Sequence, residues 1–324
     1  MHHRLSLTAI AAAARSIDPV FRGAPVVSHD ALSAAVGCRL TLVIETLNPI
    51  RCFKGRGADW FVTRLLARGA APPLVCASAG NFGQALAYAC RTHGLALIVY
   101  AAIGANPRKL AGIRALGAEL RLAGDDLDDA KDAARGFAAG SGHLMVEDGL
   151  QPEISEGAGS IAVELLAREP ALDAVVVPVG NGALLAGVAR WIKATAPTTL
   201  VIGACSRGAP AMAESWRRGA VVRHARTDTI ADGVAVRVPI AEALDDLRGL
   251  VDDVWLVDDA AIVAAMRQVH HHVGVVCEPA GAIGVAAVAA SGPRLAGRHV
   301  ATIVTGGNLA DLSSLTSLPL EPVP

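Results

Sequence analysis

The lysine whose surroundings most favour chemistry lies in residues 48–57, which read NPIRCFKGRG. Lys54 follows Phe53, and both Arg51 and Arg56 are close to it in the chain. Cationic neighbours and an adjacent aromatic ring favour a lowered lysine pKa, which is the condition for an amine nucleophile. The alternative for a single lysine is an ordinary surface residue in a basic loop. This stretch alone leaves both interpretations of Lys54 open.

A second stretch, residues 175–189, predicts an apolar strand that ends in glycine and leads directly into a helix. The turn and the first helical positions are Gly180, Asn181, Gly182, Ala183 and Leu184. Free backbone N–H groups and the positive end of a helix dipole converge in such a turn, which suits a phosphate. The stretch is neither a Walker A loop nor a GxGxxG motif. An ordinary structural turn is the alternative.

A third stretch also joins a strand to a helix, at residues 78–84. Its turn consists of Ser78, Ala79, Gly80, Asn81 and Phe82. The helix N-terminus suits a carboxylate, and the Asn81 amide is able to donate to a phenolate-type oxygen. The alternative is an ordinary N-cap. The strand end at residues 304–308 and the helix start at residues 278–282 are ambiguous on their own.

Short apolar runs alternate with helical segments along most of the chain. The predicted strands are residues 41–45, 74–77, 95–101, 119–123, 144–147, 174–179, 201–205, 254–257 and 301–304. Such alternation implies right-handed βαβ crossovers and parallel sheets. We therefore predict an α/β fold of two lobes, each with a mostly parallel sheet flanked by helices. The predicted domains are a small one, residues 69–148, and a large one made of residues 1–68 and 149–324.

The composition limits the classes of partner. The chain has 324 residues, 52% of them hydrophobic, and a net charge of -1, so nucleic acid and acidic membrane surfaces are not expected partners. No apolar run is long enough to span a bilayer. The N-terminal stretch predicts an amphipathic helix ended by Asp18 and Pro19 rather than a signal sequence. Six scattered cysteines favour neither disulfides nor zinc, and a cytoplasmic location is the default.

Together, a lysine, a phosphate cradle, a carboxylate-binding turn and a hydroxyl at a strand end suit one cofactor, pyridoxal 5'-phosphate. The sequence resembles the threonine/serine dehydratase and serine racemase family of fold type II pyridoxal-phosphate enzymes, within the tryptophan synthase beta superfamily. Four family motifs, SFKxRG, SxGNHxQ, GGGGL and SGGN, are matched in order by residues 52–57, 78–84, 180–184 and 305–308. Residues 229–235 and 278–282 also resemble family signatures.

The resemblance implies a role for each matched residue. Lys54 would hold the cofactor covalently, pass it to the substrate amine and then act as the base at Cα. Residues 180–184 would bind the phosphate through backbone N–H groups. Asn81 would contact the 3-hydroxyl oxygen, Phe53 would pack near the ring, and Thr305 would hydrogen-bond the pyridine nitrogen. The turn from Ser78 to Phe82 would bind the substrate.

The implied function is that of an ammonia-lyase, or dehydratase. A threonine at the ring nitrogen makes a weaker electron sink than a carboxylate would, which favours elimination over transamination. The substrate would be a small β-hydroxy amino acid such as L-threonine or L-serine, converted to a 2-keto acid and ammonia. The alternatives are a β-replacement transferase, an amino-acid racemase and a binding protein without activity. A homodimer is expected from the family.

Positions at which the sequence differs from the family motifs also lead to predictions. Phe82 replaces the usual histidine of the substrate turn, and Ala79 replaces the serine that acts as second acid/base in serine racemases, so racemisation is expected to be minor. Residues 205–211, where racemase-like members bind a divalent cation, contain no carboxylate, so no metal site is predicted. Residues 270–272, three histidines, are expected to form a dipole-stabilised helix end on the surface. No C-terminal regulatory extension is expected after Thr305.

Overall fold

The computed structural model describes residues 3–309, and two separate β-sheets organise this part of the chain. In chain order the strands are β1 (Val26–Ser28), β2 (Arg39–Ile44), β3 (Leu74–Ala77), β4 (Leu97–Ala101), β5 (Glu119–Leu122), β6 (Leu144–Met145), β7 (Ala174–Pro178), β8 (Leu200–Ser206), β9 (Asp253–Val257) and β10 (His299–Val304). The predicted C-terminal tail beyond residue 309 lies outside the described residues.

Helices separate most of these strands. In chain order they are α1 (Leu7–Ser16), α2 (Asp30–Val36), α3 (Lys54–Ala67), α4 (Asn81–His93), α5 (Pro107–Ala115), α6 (Leu127–Ser141), α7 (Pro152–Arg168), α8 (Ala183–Thr195), α9 (Ala211–Arg218), α10 (Ala241–Asp246), α11 (Asp259–Val273) and α12 (Pro279–Ala289). No helix in the described residues is both long and apolar enough to cross a membrane.

Both sheets are mainly parallel. The larger one has the strand order β1-β2-β10-β7-β8-β9, and only β1 is antiparallel to its neighbour. The smaller one has the order β5-β4-β3-β6 and is parallel throughout. The central strand β7 is buried at every position, as expected where helices cover both faces of a parallel sheet. The predicted α/β fold with two parallel-rich lobes is therefore confirmed.

Most predicted elements occur where the sequence places them, and the bounds of β3 are the same. The sequence interpretation missed β1 and α2, which are short. The helix α3 begins at Lys54 itself. The smaller sheet falls within residues 69–148, but the domain boundaries themselves stay a prediction.

Glycines allow α3, α7 and α8 to pack with their backbones in close contact. A Cβ added to Gly187 of α8 would lie 2.0 Å from the Ser155 carbonyl oxygen of α7. A Cβ on Gly57 of α3 would lie 2.5 Å from the Ile154 oxygen, and one on Gly157 of α7 would lie 2.5 Å from the Arg56 oxygen. These contacts leave no space for a methyl group. They fix the start of α3, which carries Lys54, relative to α8.

We expect Gly187→Ala to destabilise the protein, because the new methyl group meets backbone atoms that cannot rotate away. Overpacking of this kind costs about 1–3 kcal/mol of unfolding free energy. Gly136→Ala in α6 is the matched control, since nothing lies within 4 Å of its added Cβ. Urea unfolding of both variants checks the prediction. Equal unfolding free energies for the two variants would contradict it.

Candidate active site

The loop that precedes Lys54 is organised by one side chain, that of Asn48. Its Nδ2 donates to the carbonyl oxygens of Glu45 and Cys52 at 2.9 and 3.1 Å. Its Oδ1 accepts from the backbone N–H groups of Ile50 and Cys52, both at 3.2 Å. Arg51 has a φ of 51° in the left-handed region, which lets the chain turn sharply here. The loop therefore presents the start of α3 in one orientation.

The same loop is hydrogen-bonded to the segment that follows β10. Phe53 N–H donates to the Thr305 oxygen at 3.0 Å, and Gly307 N–H donates to the Arg51 oxygen at 2.9 Å. The Thr305 hydroxyl donates a long hydrogen bond of 3.4 Å to the Ala280 oxygen. These contacts bring Lys54 and the Thr305 hydroxyl to the same cavity.

Lys54 is largely buried, with 16% of its side chain exposed, and it forms an ion pair with Asp148. Its Nζ lies 5.9 Å from the ring centroid of Phe53 and 5.8 Å from that of Phe82. The alternative of an ordinary surface lysine is therefore wrong. Instead, the Nζ lies between two aromatic rings and one carboxylate.

The expected lowering of the Lys54 pKa is also wrong. Burial is the largest influence and acts to lower the pKa, but several nearby groups, Asp148 first among them, together act to raise it, and the net pKa of Lys54 is raised. The two neighbouring arginines do not act on the amine as predicted. Arg51 is exposed, and Arg56 forms ion pairs with Glu45 and Glu164. Arg56 is close to Lys54 in the sequence, but its charge is directed away from the amine because α3 turns the Arg56 side chain into the core.

Arg56 forms a buried ionic cluster two residues after the lysine. Its guanidinium contacts the Glu45 carboxylate at 2.8–3.1 Å and the Glu164 carboxylate at 2.9–3.1 Å. Its Nη1 also donates to the Ser160 hydroxyl at 3.0 Å. The cluster joins the end of β2, the first turn of α3 and α7.

The glycine-rich turn before α8 has the features of an anion site. Gly182 precedes α8 with a φ of 96°, a conformation that favours glycine, and α8 then runs for 13 residues. A Cβ on Gly180 would lie 3.2 Å from the Gly233 oxygen, so a side chain there would be crowded. The turn lines the same cavity as Lys54, with the positive end of α8 facing it.

Asn81 belongs to a short chain of side-chain hydrogen bonds. Its Nδ2 donates to Glu278 Oε1 at 2.6 Å, and its Oδ1 accepts from Asn308 Nδ2 at 2.9 Å. Asn308 also donates to the Ile50 oxygen at 2.8 Å. Burial, followed by the nearby Asp232 charge, raises the pKa of Glu278 to about 7. The amide of Asn81 is thus oriented by its neighbours.

One cavity collects all nine residues assigned to the cofactor. Its walls include Phe53, Lys54, Asn81, Gly180, Asn181, Gly182, Ala183, Leu184 and Thr305, every one of them predicted from the sequence. A larger cleft adjoins it and contains the predicted substrate turn, Ser78, Ala79, Gly80, Asn81 and Phe82. Lys54 lines both spaces.

The sequence interpretation assigned no role to several charged residues of this region. Asp148 lines both cavities, and Lys109 and Asp232 form an ion pair across the larger cleft. One signal was available for Asp148, which comes three residues after β6 ends at Met145. Ligands bind outside the carboxyl ends of parallel strands, so polar residues there are candidates even when no motif contains them.

Residues 205–211, the segment considered as a metal site, form an ion pair instead. In residues 205–211, Arg207 forms an ion pair with Asp258 at 2.6 Å. Within residues 3–309 no group of three or more His, Cys, Asp or Glu side chains is arranged to hold a metal. The absence of a metal stays a prediction.

The three histidines of residues 270–272 do lie at the end of α11, as expected. His270 and His271 are exposed, whereas His272 is half-buried, with its ring centroid 5.6 Å from that of His29. Burial, then His271 and His29, lowers the pKa of His272. At His272, burial and the neighbouring rings therefore oppose the charged form that a helix end would stabilise.

The cavity fits pyridoxal phosphate on its own chemistry. A helix N-terminus suits the phosphate, the Lys54 amine suits the aldehyde, and the Thr305 hydroxyl suits the ring nitrogen. Two parallel-rich sheets with these groups in one cavity define a pyridoxal-phosphate-binding α/β enzyme.

Comparison with known proteins gives the particular family. A model of the family described as "Pyridoxal-phosphate dependent enzyme" matches residues 17–306. The chain therefore belongs to this family, and the predicted cofactor is confirmed.

Individual relatives show which members of this family the chain resembles. L-threonine ammonia-lyase of Thermotoga maritima is 32% identical over 305 residues, which cover 94% of this chain and 76% of that protein. The structure of maize serine racemase has a TM-score of 0.89 and 29% identity, covering 97% and 96% of the two chains. Threonine deaminase isoform 2 of Solanum lycopersicum has a TM-score of 0.89 and 28% identity, covering 96% and 85%. The resemblance seen in the motifs is confirmed.

The raised pKa of Glu278 predicts a pH dependence of stability. Because the folded-state pKa of about 7 exceeds the ordinary value of 4.5, Glu278 favours the folded state below pH 4.5. That contribution is lost as the pH rises to about 7 and amounts to roughly 3 kcal/mol. We expect Glu278→Gln to remove it, leaving a flatter dependence of unfolding free energy on pH. Denaturant titrations at pH 5 and pH 8 check this. An equal change of unfolding free energy between the two pH values in wild type and variant would count against it.

Proposed function

We propose that this protein is a pyridoxal-phosphate-dependent ammonia-lyase that converts a small β-hydroxy amino acid, such as L-threonine or L-serine, to a 2-keto acid and ammonia. One observation carries the proposal. A single cavity places the Lys54 amine, the anion-binding turn before α8 and the Thr305 hydroxyl around one space, and the Ser78–Phe82 turn opens beside it. Relatives named as threonine ammonia-lyases and dehydratases support the choice of reaction.

The residues of the cavity bind and orient the cofactor in distinct ways. The backbone N–H groups of residues 180–184 bind its phosphate, and the dipole of α8 adds to their attraction. Asn81, held by Glu278 and Asn308, would donate an amide N–H to the 3-hydroxyl oxygen. The Phe53 ring packs beside the pyridine ring. Because each group is fixed by its own neighbours, little ordering is needed on binding.

Lys54 has two tasks, covalent attachment and proton transfer. Lys54 would be the residue that holds the cofactor, and its Nζ contacts the Asp148 carboxylate. The same Nζ would serve as the base that takes the proton from the substrate Cα. Bound pyridoxal phosphate supplies an electron-accepting ring that stabilises negative charge at Cα.

Thr305 and the substrate turn favour elimination. A threonine hydroxyl cannot keep the ring nitrogen of the cofactor protonated as a carboxylate would, so the ring would be a weaker electron sink, which favours loss of the β-hydroxyl. The N-terminus of α4, at Asn81, attracts the substrate carboxylate to residues 78–81. Phe82 is buried against the Lys54 amine and helps to exclude water from it.

Lys54→Ala tests the covalent role of the lysine. We expect the purified wild-type protein to show a visible absorption band from lysine-bound cofactor and to release keto acid and ammonia from threonine or serine. Lys54→Ala should lose the band and the keto-acid formation, because no other amine is placed at the same point. Lys193→Ala is the control, since Lys193 pairs with Asp252 and lines neither of the two cavities.

Two outcomes would contradict the proposal. A wild-type protein without the band, or an unchanged band in Lys54→Ala, would overturn the role of the lysine. A band without ammonia release, but with a new amino acid formed from serine and an added thiol, would favour the β-replacement transferase instead.

Ala79 provides a test of racemisation. This residue lines the substrate cleft at the position where serine racemases carry a second acid/base. The wild-type protein therefore has no hydroxyl there to return a proton from the opposite face of Cα. We expect Ala79→Ser to increase the rate at which L-serine is converted to D-serine, measured by chiral chromatography. Ala79→Gly is the control without a hydroxyl, and equal racemisation by both variants would sink the idea.

Two further features belong to the same proposal. We infer a homodimer, as the family resemblance implies, and sedimentation at several protein concentrations checks it. We also infer a cytoplasmic location. The six cysteines are buried free thiols, which fits a reducing compartment.

A further inference from the structure

Asp148 contacts the central lysine but lies outside every stretch that carries the family resemblance. Its carboxylate forms an ion pair and a hydrogen bond with Lys54 Nζ, and only 10% of its side chain is exposed. No matched motif assigns a role to this residue. The question is what a carboxylate does at this distance from the amine that holds the cofactor.

The backbone around Asp148 is held in place. Leu150 N–H donates to the Glu147 oxygen at 3.1 Å, so residues 147–150 form a tight turn. Gly149 has a φ of 95°, and a Cβ there would lie 3.0 Å from the Asn181 oxygen of the anion-binding turn. Arg4 donates to the carbonyl oxygens of Gly149 and Leu150. The turn therefore packs on the anion-binding loop and directs Asp148 to Lys54.

Other charged groups near Lys54 Nζ are less able to replace this contact. Glu278 accepts its own hydrogen bond from Asn81, and its pKa is raised to about 7, so it carries only part of its charge at neutral pH. Burial raises the pKa of the Cys52 thiol, which is neutral in that range. The remaining neighbours are the rings of Phe53 and Phe82.

The acid next to Asp148 in the chain has a different partner. Glu147 accepts hydrogen bonds from Arg135 Nε and Nη2 at 3.0 and 2.7 Å. It is thus neutralised by a guanidinium of α6, while Asp148 is neutralised by the catalytic amine. The two acids face different elements.

We propose that Asp148 is a positioning residue that holds the Lys54 Nζ at the cofactor and keeps the proton on this nitrogen. The inference rests on the proposed function, because it assumes that Lys54 carries the cofactor. An adjacent negative charge stabilises the protonated nitrogen in the free amine and in the nitrogen bound to the cofactor. Asp148 thereby sets the pH at which the lysine-bound cofactor gains or loses its proton.

The test is a pH titration of the visible absorption band of the holoenzyme, which reports the protonation of that nitrogen without turnover. We expect Asp148→Asn to lower the midpoint by about 1–3 pH units, the usual effect of removing a close opposite charge. Asp148→Glu keeps the charge and should titrate near wild type. Glu153→Gln is the matched control, because Glu153 is also a buried acid paired with a cation, Arg68, but lines neither cavity.

The outcomes separate this inference from the proposed function. If the wild-type protein shows the band and Asp148→Asn titrates with the same midpoint, the role of Asp148 is overturned while the proposed function stands. A lowered midpoint in Asp148→Glu overturns it as well, because the charge would then not be the cause. If the wild-type protein shows no band, the proposed function fails and this inference fails with it.

Discussion

The buried Arg56 cluster is the interaction on which the arrangement of the site depends. A guanidinium without exposure to solvent is tolerated only because Glu45, Glu164 and Ser160 surround it. Removing one partner of such a cluster costs about 3–5 kcal/mol, since a charge is left buried and unpaired. The cluster fixes the first turn of α3 against β2 and α7. Lys54, two residues earlier, has its direction set by this turn, and the glycine contacts between α3, α7 and α8 fix its distance from the anion-binding loop.

The site is assembled where parallel strands end. The segment after β10 supplies Thr305, the turn after β7 supplies the anion site, the turn after β3 supplies Asn81, and the turn after β6 supplies Asp148. Two of these turns come from each sheet, so the cavity lies between the sheets. Side chains that cross this boundary, such as the Asn81–Glu278 pair, couple the substrate turn to the cofactor cavity. The chemistry therefore requires both sheets.

Motif and periodicity predicted much of this arrangement from the sequence. The strand–turn–helix at Ala77–Asn81 was placed correctly because turn residues separate two clear apolar patterns. The β1 strand was missed because three residues at a sheet edge carry too little periodicity. The Lys54 pKa was misjudged because the sequence shows which charges are near in the chain, whereas the pKa depends on charges near in space. Asp148, 94 residues away, is such a charge, and no local pattern marks it.

The central claim is that Lys54, among the lysines of the chain, is the one that bonds to pyridoxal phosphate. The other lysines are Lys109, Lys131 and Lys193, and the first two line the neighbouring cleft. The direct measurement is borohydride reduction of the holoenzyme followed by peptide mass mapping. We predict one phosphopyridoxyl group, on the peptide that contains Lys54. A label on Lys109 or Lys131 instead, or no label on any lysine, would contradict the account.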